Sequence, residues 1–331
     1  MKKILLTALT TLSLLPAANA QQDPQFTQFF YNKLIMNPAY AGTKDLLCVT
    51  GLYRSQWTGL QGSPTSFLFS ADAQLPLLFG QYFGVGFTGY GDFIGFEKNY
   101  SFRLALNWRS KQPIGPGYLR AGLDLGATSK GIDGAQWVYP SGVPESSIQA
   151  LNGRNNIAFE GGVGVYYYSP EGTTNSWYAG VSALHLAGMR YADINITQAR
   201  HMFFMGGYTF GDLFNGDWAI NPNVLIKTDF ATAQVDLNAN AIYKDNYWAG
   251  LTYRFEDALA INAGLNLQAI KPVLPPIQIG YSYDINLSRL SSYNSGSHEI
   301  VIRYCLPLSK PRPLIPVQSV RHPQTLRNLM P

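Results

Sequence analysis

Beyond residue 40 the chain alternates apolar and polar residues with a period of two, and helical spacing is scarce. The clearest run sets Ala233, Val235, Leu237, Ala239, Ala241 and Tyr243 on one face and Gln234, Asp236, Asn238 and Asn240 on the other. Tyr100, Phe102, Leu104, Leu106 and Trp108 alternate in the same way with Asn99, Ser101, Arg103, Ala105 and Asn107. Leu259 to Leu267 and Ile277 to Asp284 repeat the pattern. These runs are about ten residues long, the length a tilted strand needs to cross a bilayer and roughly twice that of a soluble strand. Aromatic residues gather near their ends, at Tyr166-Tyr167-Tyr168, Trp177-Tyr178, Phe203-Phe204 and Tyr247-Trp248, as interfacial girdles require. A β-sandwich or propeller alternates too, but with shorter strands and more charged outer faces. The pattern therefore predicts an all-β, antiparallel transmembrane barrel.

Fourteen strands are expected, starting near Leu46, Ser66, Tyr82, Lys98, Gly117, Ile157, Ser176, His201, Trp218, Ala233, Asn246, Ala258, Pro276 and Ser297. An even number places both termini in the periplasm, with short turns there and longer loops outside. The longest expected connections, about 127–156, 184–200, 285–296 and 55–65, all follow odd-numbered strands and so share one side. A lumen of this girth is wider than wall side chains alone can fill, so it is open or plugged. The Phe-rich segment 21–45 precedes the first strand and either enters the lumen or covers the periplasmic mouth. The barrel itself is expected over 46–305.

Composition narrows the classes. Charged residues are only 13% of the 331, against roughly a quarter in soluble domains, which argues against disorder. Mean hydropathy is −0.05, and no long apolar run follows the N-terminus, which argues against a helical membrane protein. A net charge of +4 without a basic block gives no reason to expect nucleic acid as a partner. Lys2 and Lys3, the apolar stretch Ile4 to Leu15 and the small-residue site Ala18-Asn19-Ala20 read as a secretory signal over 1–20. Gln21, not Cys, follows the expected cut, so no lipid anchor is expected.

Cys48 opens the first strand and Cys305 closes the last, so closure of the barrel brings both to one rim. Each shares parity with polar neighbours and points inward. They form either a seam disulfide in an oxidising compartment or two buried thiols one or two registers apart.

No catalytic residue can be named from the sequence. His185, His201, His298 and His322 include no pair with metal-ligand spacing, and no metal or cofactor is expected. Gly84-Val85-Gly86-Phe87-Thr88-Gly89 matches a dinucleotide pattern formally but lies in an alternating strand, where barrel packing explains it. Ser297 and His298 are adjacent on a strand and face opposite ways, so they form no dyad. The inward polar set is Arg54, Arg103, Arg120, Asp124, Lys227, Asp236, Arg254, Glu299 and Arg303. Simple solvation accounts for it, and its mild Arg excess suits anions or a carboxylate-bearing peptide. The Pro-rich, basic stretch 306–331 reads as an extended periplasmic tail.

Several motifs resemble one known family in order along the mature chain. They are Gln22-Asp23-Pro24-Gln25-Phe26-Thr27-Gln28, Asn37-Pro38-Ala39-Tyr40-Ala41-Gly42, Tyr53-Arg54-Ser55-Gln56-Trp57 and Gly62-Ser63-Pro64-Thr65. Trp177 to Ser182, Pro222 to Lys227, Gly280-Tyr281-Ser282-Tyr283-Asp284 and Gly296-Ser297-His298-Glu299-Ile300 continue the match. This is similar to the PorP/SprF family. The resemblance implies a non-enzymatic outer-membrane barrel of type IX secretion or gliding in Bacteroidota. It implies as partners the secretion-system components, outer-membrane lipid and the C-terminal secretion domain of a surface protein such as an adhesin. Within the motifs, Asn37 to Gly42 suits a fixed lead-in to strand one, and Gly296 to Ile300 a fixed start to the closing strand. A passive transporter for small or hydrophobic solutes shares every compositional feature.

Overall fold

The computed structural model describes residues 23–44, 46–75, 81–133, 155–170, 174–188, 190–191 and 196–307. The expected signal, most of the 133–154 connection and the tail from 308 onward lie outside the described residues.

Fourteen strands form the wall. They are β1 (Leu46–Ser55), β2 (Thr65–Gln74), β3 (Tyr82–Ile94), β4 (Glu97–Arg109), β5 (Tyr118–Ile132), β6 (Asn155–Tyr168) and β7 (Ser176–Leu184), then β8 (His201–Leu213), β9 (Trp218–Thr228), β10 (Ala233–Tyr243), β11 (Tyr247–Arg254), β12 (Ala258–Asn266), β13 (Ile277–Asn286) and β14 (Ser297–Pro307). Each pairs antiparallel with its sequence neighbours, and β14 pairs with β1, so the sheet closes on itself. Closure leaves no edge strand, which is what lets a sheet stand in lipid. A short ribbon pairs Arg190–Tyr191 with Ile196–Thr197 inside the β7–β8 connection.

Alternation along the strands decides the two faces. On β4, Phe102 and Leu104 face outward, Leu104 at 66% exposure, while Ser101, Arg103 and Asn107 are buried inside. Leu125, Ile157 and Phe159 extend the same apolar outer surface, and Phe159 is 81% exposed. An outer surface of this kind, continuous and uncharged, is matched to acyl chains, not water.

Two details differ from the expected strand plan. The strand β5 runs to Ile132, and β6 begins at Asn155, so the connection between them is shorter than 127–156. Alternation simply continues, with Thr128 and Lys130 turned inward. The β12–β13 connection, 267–276, is as long as the β13–β14 connection, 287–296, yet lies at the opposite end. A 3-10 turn at Leu267–Ala269, with the Asn266 side chain accepting from the Gln268 N–H, occupies part of it. Only the two longest connections therefore carry the assignment of sides.

At the seam Cys48 stands directly opposite Cys305, and the two sulfurs are bonded. The pair is buried, with Leu46 packed against it. We propose that this bond locks the barrel seam. Thiol labelling of the denatured, unreduced protein tests it: no reactive thiol is the expected result, and two reactive thiols refute it. Its removal by C48S/C305S is expected to lower stability by about 2–4 kcal/mol.

Candidate functional site

The lumen is filled by the chain's own N-terminal segment, residues 23–44. Its sequence makes this possible. Gln28 leads into a 3-10 turn at Phe29–Tyr31, and α1 (Lys33–Met36) adds one helical turn. Asn37 then caps a further 3-10 turn at Pro38–Tyr40, its side chain accepting from the Ala39 N–H at 2.9 Å with Pro38 in the first-turn position. Phe29, Phe30, Tyr31, Leu34 and Tyr40 are all buried, so the Phe-rich stretch forms an apolar core inside a polar-walled tube.

The wall is shaped to receive it. A Cβ on Gly84 would strike the Ala41 carbonyl, one on Gly86 the Leu34 side chain, and one on Gly164 the Asn37 side chain. Two of the glycines that mimic a dinucleotide motif, Gly84 and Gly86, are thus places where the plug approaches the wall, whereas the third, Gly89, sits against the Phe102 and Phe87 rings. Gly42 has φ +67°, a left-handed conformation favouring glycine, as the segment turns toward β1.

Three polar clusters join plug to wall. In the first, Arg54 donates to Asp284 at 2.8 Å, to Glu299 at 3.2 Å and to the Thr27 hydroxyl at 2.9 Å. Glu299 also accepts the backbone N–H groups of Thr27 and Gln28, both at 2.8 Å. Arg254 adds contacts to Asp236 at 3.3 Å and Asp284 at 3.5 Å.

In the second cluster, Arg120 donates to the carbonyls of Ala41 at 3.0 Å and Gly42 at 2.5 Å, and to Asn107 and Gln74 of the wall. The Gly42 N–H donates to Asp72 at 2.9 Å, and Arg303 donates to the Tyr40 hydroxyl at 3.2 Å. In the third, Arg103 donates to the Ile35 carbonyl at 2.5 Å and to Asp124 at 3.1 Å, with Glu160 at 3.8 Å. Asn37 reaches the carbonyls of Val165 and Val181.

The inward polar set is therefore gathered around one segment. Arg54, Arg103, Arg120, Arg303 and Glu299 contact the plug, Arg254, Asp236 and Asp124 hold or extend those contacts, and Lys227 lines a cavity beside it with Phe26, Phe29, Phe203 and Leu225. Arg54, Arg103, Arg120 and Arg254 donate to plug groups or wall carboxylates, and Arg303 to the Tyr40 hydroxyl, so the set meets the plug as well as the lumen. The Asn37 to Gly42 motif likewise does more than lead into strand one: it spans the lumen from β6 and β7 to β2.

One cluster was not foreseen. Asp23, His185 and His201 converge where the plug begins. Asp23 Oδ2 lies 3.0 Å from His185 Nε2 and 4.0 Å from His201 Nδ1, and His185 Nδ1 lies 2.7 Å from Glu160 Oε2. Burial alone disfavours a charged imidazole, yet the flanking Asp23 and Glu160 carboxylates push His185 up to about 10. Burial also opposes ionisation of Asp23, but the two histidines hold its carboxyl well below the usual range. No sequence spacing links residues 23, 185 and 201, because the plug sets the first beside a strand junction. Glu160 and Asp284 were readable, since each shares inward parity with its strand's glycines and serines.

The direction of the segment follows from these contacts. Asp23 and Thr27 lie at the end of the barrel bearing the 56–64, 185–200 and 287–296 connections, whereas Gly42 lies at the Cys48–Cys305 end. The plug runs the length of the lumen.

A family model described as "Type IX secretion system membrane protein PorP/SprF" matches residues 18–304. No curated protein matches the sequence. Among solved structures, a deletion mutant of the monoaromatic hydrocarbon channel TodX is 11% identical, covers 83% of this chain and 94% of its own, and superposes with a TM-score of 0.46. The toluene transporter TbuX of Ralstonia pickettii is 12% identical over 83% of this chain and 93% of its own, with a TM-score of 0.46. The translocator domain of the autotransporter NalP from Neisseria meningitidis is 11% identical over 85% and 92%, with a TM-score of 0.42.

Proposed function

The chain belongs to the PorP/SprF family of type IX secretion system membrane proteins, and on that footing we propose that it binds a passenger and does not conduct solute. In this reading the outer-membrane barrel holds the C-terminal secretion domain of a secreted surface protein, of adhesin type, on its loop-bearing side. The opposite side, where Cys48 and Cys305 meet, faces the periplasm and contacts the secretion machinery. No reacting group is needed for either role.

The observation that carries the proposal is the plug. A conduit spends its lumen on passage, whereas here the lumen is occupied by 23–44, held by buried hydrogen bonds from several strands. With the lumen occupied, the outer loops and the two rims are the surfaces open to partners. The apolar cavity beside the plug, lined by Phe26, Phe29, Ile35, Phe203 and Leu225, is what a second reading rests on: a transporter for small hydrophobic solutes.

Purification of the tagged protein from native outer membranes in mild detergent separates the two. Co-purification of a large surface protein through its C-terminal domain, or of secretion components, is the expected result. A partnerless barrel that takes up hydrophobic solute in liposomes would overturn the binding role.

A further inference from the structure

We propose that Asp23, His185 and His201 form a site for a divalent transition metal such as zinc, fastening the start of the plug to the β7–β8 junction. His185 is oriented by its neighbour Glu160. Its Nδ1 lies 2.7 Å from Glu160 Oε2, and a carboxylate only accepts, so Nδ1 carries the proton. Once Nε2 gives up its proton, as metal binding requires, its lone pair is aimed at the Asp23 carboxylate 3.0 Å away. Two acceptors at that distance require a cation between them. A proton on Nε2 is one solution, but it makes no use of His201.

His201 is what selects a metal. Its Nδ1 approaches the same Asp23 oxygen at 4.0 Å, and its ring packs edge-on against His185 with centroids 5.7 Å apart. One ligand atom from each of the three residues lies within 4.8 Å of the others. Tetrahedral zinc, with bonds near 2.0–2.1 Å to nitrogen and oxygen, separates its ligands by about 3.3 Å, so closure needs a shift on the order of an ångström. His201 Nδ1 also lies 3.1 Å from the Ala199 carbonyl, and metal binding exchanges that hydrogen bond for a coordinate bond. The Gln198 amide nitrogen sits 3.4 Å from Asp23 Oδ1 and 3.5 Å from His185 Nε2, and a flip of that amide offers an oxygen as a further ligand.

The surroundings match those of built metal sites. Two imidazoles and a carboxylate suit zinc and its first-row neighbours. The ring nitrogen of His185 that faces away from the site is fixed by Glu160, which accepts from Ser101 Oγ at 2.5 Å and neighbours Arg103 at 3.8 Å. A carboxylate behind a ligating histidine fixes its tautomer and raises its basicity. The histidines are buried, so the ion would be enclosed by the plug and the wall together.

The test uses full-length protein without a polyhistidine tag, stripped by a chelator and titrated with Zn(II) or Co(II) alone. One equivalent is expected to bind, Co(II) giving the visible absorption of a tetrahedral centre. H185A and H201A are each expected to abolish stoichiometric binding, and E160Q to weaken it about 10–100-fold. H298A, on the outer wall, leaves binding unchanged. Folding of each variant is checked by the mobility difference between heated and unheated samples in SDS gels. Absence of stoichiometric metal by elemental analysis, or full binding by a folded H201A, overturns the site in favour of a protonated imidazole clamp. Neither result depends on the barrel's passenger.

Discussion

Replacing Arg54 with methionine is expected to destabilise the folded barrel by about 3–5 kcal/mol, the usual consequence of leaving a buried charge without its partner. Arg54 is 1% exposed and neutralises two carboxylates that are as deeply buried, Asp284 and Glu299. Methionine fills similar volume, so the loss comes from electrostatics and not from a cavity. The urea midpoint for unfolding in detergent or lipid measures it. Trypsin added to the intact protein adds a second readout, because Glu299 also accepts the backbone of Thr27 and Gln28 and its disturbance frees that end of the plug. The double variant R54M/E299Q removes one orphaned charge along with its partner and is expected to regain part of the loss. An R54M protein as stable as wild type would show that water reaches these carboxylates.

Deleting residues 23–42 is expected to convert a silent barrel into a conducting one, raising solute flux in liposomes by an order of magnitude or more. The deletion differs from R54M in kind. It opens the lumen to water, so Arg54, Arg103, Arg120 and Glu299 become hydrated instead of orphaned, and the barrel still folds. Planar-bilayer recordings of the two proteins decide the matter: wild type is expected to show no steps, the deletion variant steady open-channel current. Equal conductance in both would mean that the plug does not seal the lumen and would favour the solute transporter.

The wall was legible because its physics is local. Every strand start lies within two residues of the position expected from alternation, and parity alone put Arg54, Arg103, Arg120, Asp124, Asp236, Arg254, Glu299 and Arg303 inside. What those side chains meet was not legible. Thr27 and Glu299 are 272 positions apart, and Asp23 and His185 are 162 apart, so no window along the chain contains both partners. The Phe-rich segment posed the same difficulty from the other direction: burial in the lumen and burial across the mouth satisfy its composition equally. Arg120 illustrates the boundary. Its inward direction follows from β5 alone, while its role, clamping the Ala41 and Gly42 carbonyls, exists only once the plug is seated.

The seam bond has a topological consequence. With Cys48 joined to Cys305, residues 48–305 form a closed covalent hoop, and the chain that precedes the hoop passes through its middle from one mouth to the other. The molecule is then a lasso. Parting β1 from β14, which would let an unbonded barrel release its plug sideways, no longer frees it, and withdrawal is restricted to sliding lengthwise past every wall contact in turn. Threading is simplest while the hoop is still open, so oxidation of the seam belongs last in the assembly of the barrel, after the N-terminal segment is in place.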